Sequence, residues 1–179
     1  MSKIAVLCND GVEEIECLTV VDFCRRAGIE VITVSVTGKR QIMGAHQIVF
    51  HADEVYEDMN FDEFDGIVYP GGPGTGAMGE KPGVKELAQK FLNNGKMLAA
   101  ICAAPGMISE TGILKEKCAT GYPGCKPEGG AIWSEDAAVV DGNLVTGKGP
   151  GAAAEFAIEI IRYLAGDIKA EQIRTSTMM

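Results

Sequence analysis

One cysteine is placed where this chain could perform nucleophilic chemistry. Cys102 follows Met97-Leu98-Ala99-Ala100-Ile101 without a polar interruption, and Ala103-Ala104-Pro105-Gly106 comes straight after it. The apolar run predicts a strand buried on both faces, as in a parallel sheet. Pro105 suits the first turn of a helix, where its missing N–H costs nothing. A cysteine on such a strand-to-helix turn lies at the carboxyl end of the sheet, where open α/β folds place their ligands. The free N–H groups and dipole of the following helix favour a thiolate there. The expected geometry is a nucleophile elbow carrying Cys in place of Ser.

Two other stretches could serve this cysteine. Gly71-Gly72-Pro73-Gly74-Thr75-Gly76 follows the apolar run Gly66–Pro70. It lacks the lysine and spacing of a P-loop and does not fit a dinucleotide fingerprint. An oxyanion hole is the better use, because Gly72 has no side chain to keep its N–H from a reacting group, and the Ala103 N–H lies opposite. Glu13, Glu14 and Glu16 open a helical stretch, where acidic residues compensate the helix dipole. Glu16 stands apart, because it falls between Ile15 and Cys17 in an apolar setting and is predicted to point inward. A carboxyl desolvated there has a raised pKa and can donate a hydrogen bond to a thiolate.

These residues need a scaffold, and the rest of the chain supplies the pattern for one. Residues 3–8 predict a first strand, ended by the turn signal Asn9-Asp10-Gly11. A helical stripe follows from Glu13 to Ala27, with Gly28 as its stop, and Glu30–Val36 alternates into a second strand. That βαβ unit makes the first two strands parallel. Short β-like pieces at Gln41–Met43 and Gln47–Phe50 predict a hairpin beside the main sheet. Residues 53–65 read as an acidic, solvated connection. A helix from Pro82 to about Asn94 leads into the Met97 strand, and the helix after Cys102 is stopped by Gly112. Ala137–Val140 and Leu144–Val145, joined by Asp141-Gly142-Asn143, predict a second hairpin. Gly149-Pro150-Gly151 then starts a helix to Leu164, and a short helix near Ala170 follows. The expected fold class is α/β, a doubly wound, mostly parallel sheet with helices on both faces, in a single domain over residues 1–179.

Composition narrows the function. The 179 residues are 46% apolar and 23% charged, as in ordinary globular proteins, and can bury a sizeable core. A net charge of −9 argues against a nucleic-acid partner. No span reaches transmembrane length and the first apolar run is short for a signal peptide, so no membrane and a cytoplasmic location are expected. The six cysteines form no C-x-x-C pair, so neither a metal nor a disulfide framework is expected. Cys8, Cys17 and Cys24 read as small core residues.

In order and spacing, five segments carry a resemblance along essentially the whole chain. They are Gly11-Val12-Glu13-Glu14-Ile15-Glu16, Arg25-Arg26-Ala27-Gly28-Ile29, Pro70-Gly71-Gly72, Ala99-Ala100-Ile101-Cys102-Ala103-Ala104-Pro105 and Gly149-Pro150-Gly151. The chain resembles the ThiJ/PfpI superfamily, in its parkinsonism-associated deglycase branch. The resemblance implies a flavodoxin-like sandwich and a homodimer. It further implies a reactive Cys102, Glu16 as its protonated carboxyl partner, and Gly72 and Ala103 as backbone donors; no cofactor is expected.

Two departures from that family matter. Members with glyoxalase or deglycase activity usually carry a histidine beside the cysteine, either next to it or from a nearby loop. Here those positions hold Ala103 and Tyr122, and the only histidines, His46 and His51, fall in the predicted hairpin. A Cys-His-Glu hydrolase triad is therefore not expected. A phenol titrates near ~10 and makes a poor proton shuttle, which leaves Glu16 to move protons alone. Secondly, the resemblance puts His51 at the subunit two-fold, where an interface histidine is expected and weak copper or zinc binding is the alternative. Two functions remain open: an enzyme acting on reactive aldehydes and dicarbonyls, or a redox sensor whose Cys102 is oxidised to a sulfinic acid. A thiamine-biosynthesis role finds no thiazole-phosphate site in the residues.

Overall fold

The structure, a computed structural model, describes all residues 1–179. β1 (Lys3–Cys8), α1 (Glu14–Arg26) and β2 (Glu30–Ser35) form the first βαβ unit, with β1 and β2 parallel from Lys3 opposite Glu30 to Cys8 opposite Ser35. β3 (Gln41–Met43) and β4 (Val49–His51) make an antiparallel hairpin outside the main sheet. β5 (Glu54–Val55) adds an edge to β2. β6 (Gly66–Tyr69), α2 (Thr75–Glu80), α3 (Val84–Asn93), β7 (Met97–Ile101) and α4 (Ala104–Ser109) then run up to and past Cys102. β8 (Cys118–Ala119) and β9 (Ile132–Trp133) pair in a small separate ladder. β10 (Ala138–Asp141), β11 (Leu144–Gly147), α5 (Ala153–Ala165) and α6 (Asp167–Ser176) complete the chain.

The main sheet has seven strands in the order β10-β11-β7-β6-β1-β2-β5. All its neighbours pair in parallel except the edge hairpin β10–β11. Its central strands read as nearly continuous apolar runs because both faces are covered. Ile4, Val6, Cys8, Ala99 and Ile101 pack with the buried faces of α1 and α5. The alternate residues Ala5, Leu7, Ile67, Leu98 and Ala100 pack with those of α3 and α4. The expected doubly wound α/β class is the observed one.

Chain direction sets where a ligand can enter. From β1 the chain winds outward through β2, whereas from β6 it winds through β7 to the opposite edge. Between β1 and β6 the loops at the carboxyl ends therefore diverge, and a crevice opens there. No helix is long and apolar enough to cross a membrane.

Local details differ from the sequence reading where a short or polar signal was overridden. Residues 75–80 form α2, which was not expected, because a Gly-rich hexapeptide carries no helical stripe. The acidic stretch 53–65 is more than a solvated link. Phe61 and Phe64 are buried in it, and the Asp53 carboxylate accepts hydrogen bonds from the Thr33 N–H, the Thr33 hydroxyl and Arg25. Burial works against that carboxylate, but those donors hold it below its ordinary range.

Candidate active site at the sheet's switch point

Cys102 follows β7 directly and has φ +64°, in the left-handed region that a side chain with a Cβ rarely occupies. Two backbone hydrogen bonds hold it there. The Cys102 N–H donates to the Gly147 carbonyl on β11 at 2.9 Å, and the Cys102 carbonyl accepts from Tyr122 N–H at 2.8 Å. The neighbouring strand and the 120s loop thus over-determine the strained turn, as nucleophile elbows require. Cys102 is only 8% exposed.

Glu16 reaches the same point from α1, and it is fully buried. Glu13 caps that helix, its Oε2 accepting the Glu16 N–H at 2.8 Å, so the capping bond also orients the turn that carries Glu16. Glu16 Oε2 accepts the Gly71 N–H at 2.8 Å. Oε1 is buried without a conventional partner, and the Cys102 thiol is the group set against this carboxyl. Burial pushes Glu16 up to about 7, with the nearby Glu13 charge adding to it, while the thiol and the Gly71 N–H act in the opposite sense.

The thiol behaves differently from the sequence expectation of an easily formed thiolate. Burial and the adjacent Glu16 carboxylate push Cys102 up to about 12, and the N–H groups of Ala103 and Gly72 recover only part of this. The helix that follows has just six residues, so its dipole is small. Cys102 and Glu16 therefore form a coupled pair. Once one proton has left, the remaining one is shared, and a thiolate exists only while Glu16 holds it. Oε1, which accepts no hydrogen bond, is the carboxyl oxygen free to carry that proton.

The glycine pair is built to this pocket. A Cβ on Gly71 would lie 2.6 Å from the Cys102 Cβ, 2.8 Å from Glu16 Oε2 and 2.9 Å from the Ile101 carbonyl. Gly72 has φ +112°, and a Cβ there would meet the Glu13 N and Gly11 O atoms at 2.5 Å. We expect Gly71→Ala to cost roughly 1–3 kcal/mol through overpacking and to displace the Glu16 carboxyl. A urea denaturation midpoint measured beside the wild type checks the first. Wild-type stability in the variant would show that the pocket yields more easily than its packing implies.

Not every residue named from the sequence converges here. Cys102, Glu16, Gly72 and Ala103 do. Tyr122 contributes its backbone N–H, and its side chain is half exposed in a separate shallow cleft with Pro123, Lys148 and Pro150. His46 lies on the β3–β4 turn, and its ring Nδ1 sits 2.8 Å from Glu14 Oε2, away from Cys102. His51 ends β4 opposite Gln41 and is exposed. Cys17 packs 3.5 Å from Cys8, both fully buried, and Cys24 is buried too, as small core residues should be. Sequence reading missed Gly71 as the Glu16 donor, although the doubled glycine at a strand end was the available signal. The Gly147 and Tyr122 backbone contacts had no signal, because main-chain partners leave no trace in residue type. Beside Gly72 and Ala103 opens a cleft of about 510 Å3, also lined by Thr75, Lys85, Cys125 and Lys126.

Fold and site together define a doubly wound α/β protein with a strained cysteine elbow and a buried carboxyl partner at its switch point. The DJ-1/PfpI family model matches residues 2–163, and the chain belongs to that family. It is 38% identical to Protein dj-1beta of Drosophila melanogaster, over 97% of this chain and 95% of that one. The crystal structure of Drosophila melanogaster DJ-1beta superposes with a TM-score of 0.94 at 35% identity, covering 100% of this chain and 99% of that one. A glutathione-independent glyoxalase of Caenorhabditis elegans is 32% identical over 96% of this chain and 93% of its own. A deglycase of Pyrococcus abyssi is 32% identical over 90% of this chain and 99% of its own.

Proposed function

We propose that this protein is a cysteine-dependent enzyme acting on small reactive dicarbonyls of the methylglyoxal type, with Cys102 as nucleophile and Glu16 as the single proton carrier. The observation that carries the reading is the Glu16 carboxyl itself: buried, held by Gly71 through one oxygen, with the other oxygen free of any hydrogen bond, and near enough to Cys102 for the two groups to shift each other's titration. Relatives named as a glyoxalase and a deglycase support the substrate class.

The chemistry needs nothing beyond these groups and water. The Cys102 thiolate attacks the aldehyde carbon, and the oxyanion, faced by the Gly72 and Ala103 N–H groups, takes the Glu16 proton to give a hemithioacetal. Glu16, now a carboxylate, removes the proton from that carbon to give an enediol, the hemithioacetal hydroxyl proton passes to the neighbouring former ketone oxygen, and Glu16 returns its proton to the former ketone carbon. The product is a lactoyl thioester, which water hydrolyses to lactate and free Cys102. One carboxyl whose pKa lies near 7 can both give and take a proton at neutral pH. The decisive measurement is steady-state conversion of methylglyoxal to lactate by protein whose Cys102 is shown by mass spectrometry to be reduced. Turnover is expected, and its absence overturns the reading.

A second reading is an oxidation sensor, favoured by the lack of any histidine at the cysteine. There a sulfinate at Cys102 would accept the proton held on Glu16 Oε1. It predicts peroxide-dependent sulfinic acid at Cys102 in protein that turns over no dicarbonyl.

A homodimer belongs to the same proposal. α1 and the β3–β4 hairpin are joined by the Ala45 N–H to the Val12 carbonyl at 2.8 Å, and they expose Ile15, Leu18, Met43, Ile48 and Val49. Apolar side chains at that density suit an interface with a second copy. Sedimentation is expected to give a dimer for the wild type and a monomer for Ile15→Lys with Val49→Lys. A wild-type monomer at micromolar concentration removes the dimer from the proposal.

A further inference from the structure

Outside the cysteine site, one cluster has the composition and spacing of a metal centre. Glu13, which caps α1, Glu14, its first residue, and His46, on the β3–β4 turn, bring their ligand atoms within 4.8 Å of one another. The cysteine chemistry uses none of the three side chains as a reacting group.

The burial of the two carboxylates is the first argument. Glu13 is 7% exposed and Glu14 is 5% exposed, adjacent in sequence and facing the same imidazole. No lysine or arginine pairs with either; His46 is their only basic partner. Two nearly buried carboxylates that share one exposed imidazole present three ligands suited to a divalent ion on one side of the α1 N-terminus.

Geometry is the second argument. Glu13 Oε2 is occupied by the Glu16 N–H, but Oε1 accepts no hydrogen bond and lies 3.9 Å from His46 Nδ1. That separation is too long for a hydrogen bond. Two ligands on one tetrahedral zinc, with bonds of about 2.0–2.1 Å, stand roughly 3.3 Å apart. The observed 3.9 Å and the 2.8 Å between Nδ1 and Glu14 Oε2 bracket that value, so small side-chain movements would seat an ion. The His46 side chain is 71% exposed, which leaves the remaining coordination position open to water.

We infer that Glu13, Glu14 and His46 form a site for a divalent transition-metal ion of the zinc type, bound through two carboxylate oxygens and His46 Nδ1. The ion displaces the proton between His46 and Glu14 and ties the β3–β4 hairpin to the start of α1. The site is separate from Cys102 and does not depend on the dicarbonyl reading.

Cobalt(II) and zinc titrations of the reduced full-length protein test it. Cobalt is expected to bind once per chain, giving weak visible d–d bands without the intense thiolate-to-cobalt charge-transfer band that a cysteine ligand produces. Calorimetric zinc affinity should fall at least about tenfold in His46→Ala and in Glu13→Gln. Glu13→Gln keeps an oxygen for the helix cap, and circular dichroism of both variants confirms folding. Cys102→Ala and His51→Ala should bind as the wild type does. No binding at millimolar zinc, affinity indifferent to His46 and Glu13, or a charge-transfer band that disappears with Cys102 would each overturn the site.

Discussion

Cys102→Ala is expected to abolish methylglyoxal conversion, by roughly 10³-fold or more, while leaving the fold intact. The reasons are separable. Without sulfur no hemithioacetal forms, and the Gly72 and Ala103 N–H groups have no tetrahedral oxyanion to face. The elbow is held from outside the side chain, by Gly147 and Tyr122, so the backbone does not depend on the thiol. Alanine keeps the Cβ, and with it the cost of φ +64°. Glycine at the same position releases that strain, so Cys102→Gly should be more stable than Cys102→Ala by about 1–2 kcal/mol. Lactate formation together with paired thermal melts checks both statements. Substantial turnover by Cys102→Ala would move the chemistry to another residue.

Glu16→Gln should have the second largest effect, and it separates proton transfer from stability. Glutamine can accept the Gly71 N–H and donate to sulfur, but it cannot take up and return a proton. Turnover near neutral pH should fall by about 10²–10⁴-fold. The wild-type rate should rise with pH through about 7, where the Cys102–Glu16 pair loses its first proton. In Glu16→Gln that step disappears, and the residual activity rises only at higher pH, where the thiol ionises alone. Full turnover by this variant would remove Glu16 as the proton carrier.

Stability carries the same signature with a definite sign. Folding raises Glu16 from 4.5 to about 7, so between those values the native state binds more protons than the unfolded chain. Wild-type stability from this group therefore falls as pH rises across that window, by roughly 2.5 kcal/mol between about pH 5 and pH 8. Glu16→Gln lacks this loss. Relative to wild type its melting temperature should be roughly 5–10 °C higher at pH 8 than the same comparison gives at pH 5, measured with chelator present. A difference independent of pH would mean that Glu16 is not held protonated by burial.

The architecture was legible because its signals are local and repeat. Short Val-rich and Ala-rich runs without polar interruption, bounded by turn residues, read as strands covered on both sides, and β1, β6 and β7 lie where those runs lie. The stripe of α1 and Gly28 beyond its end marked the first crossover, the second hairpin followed from its turn residues Asp141-Gly142-Asn143, and the first from its two short β-like pieces. Cys102 was legible for the same reason, since an apolar run ending in Cys and reopening on Ala-Ala-Pro is a strand-to-helix turn whatever surrounds it. Glu16 does point inward as expected, but only one of the two neighbours it was read from does so: Cys17 is buried and Ile15 is exposed.

Other features depend on segments that lie far apart in the chain. The state of the Cys102 thiol could not be read from its turn alone. A short helix dipole pulls one way, while burial and a carboxylate 86 positions earlier push harder the other way, and only packing brings those groups together. The φ of Cys102 is held by Gly147 and Tyr122, whose contributions are main-chain atoms and so are independent of side-chain type. The acidic stretch 53–65 looked like solvated surface because charge dominates its composition, yet two phenylalanines are buried in it and the half-exposed Asp53 carboxylate is tied to Thr33 on β2. His46 and Glu14 are 32 positions apart, and nothing in either segment announces the other. Sequence sets which residues are apolar, where turns fall and which groups could react; the electrostatic environment of each reactive group is a sum over neighbours that folding alone assembles.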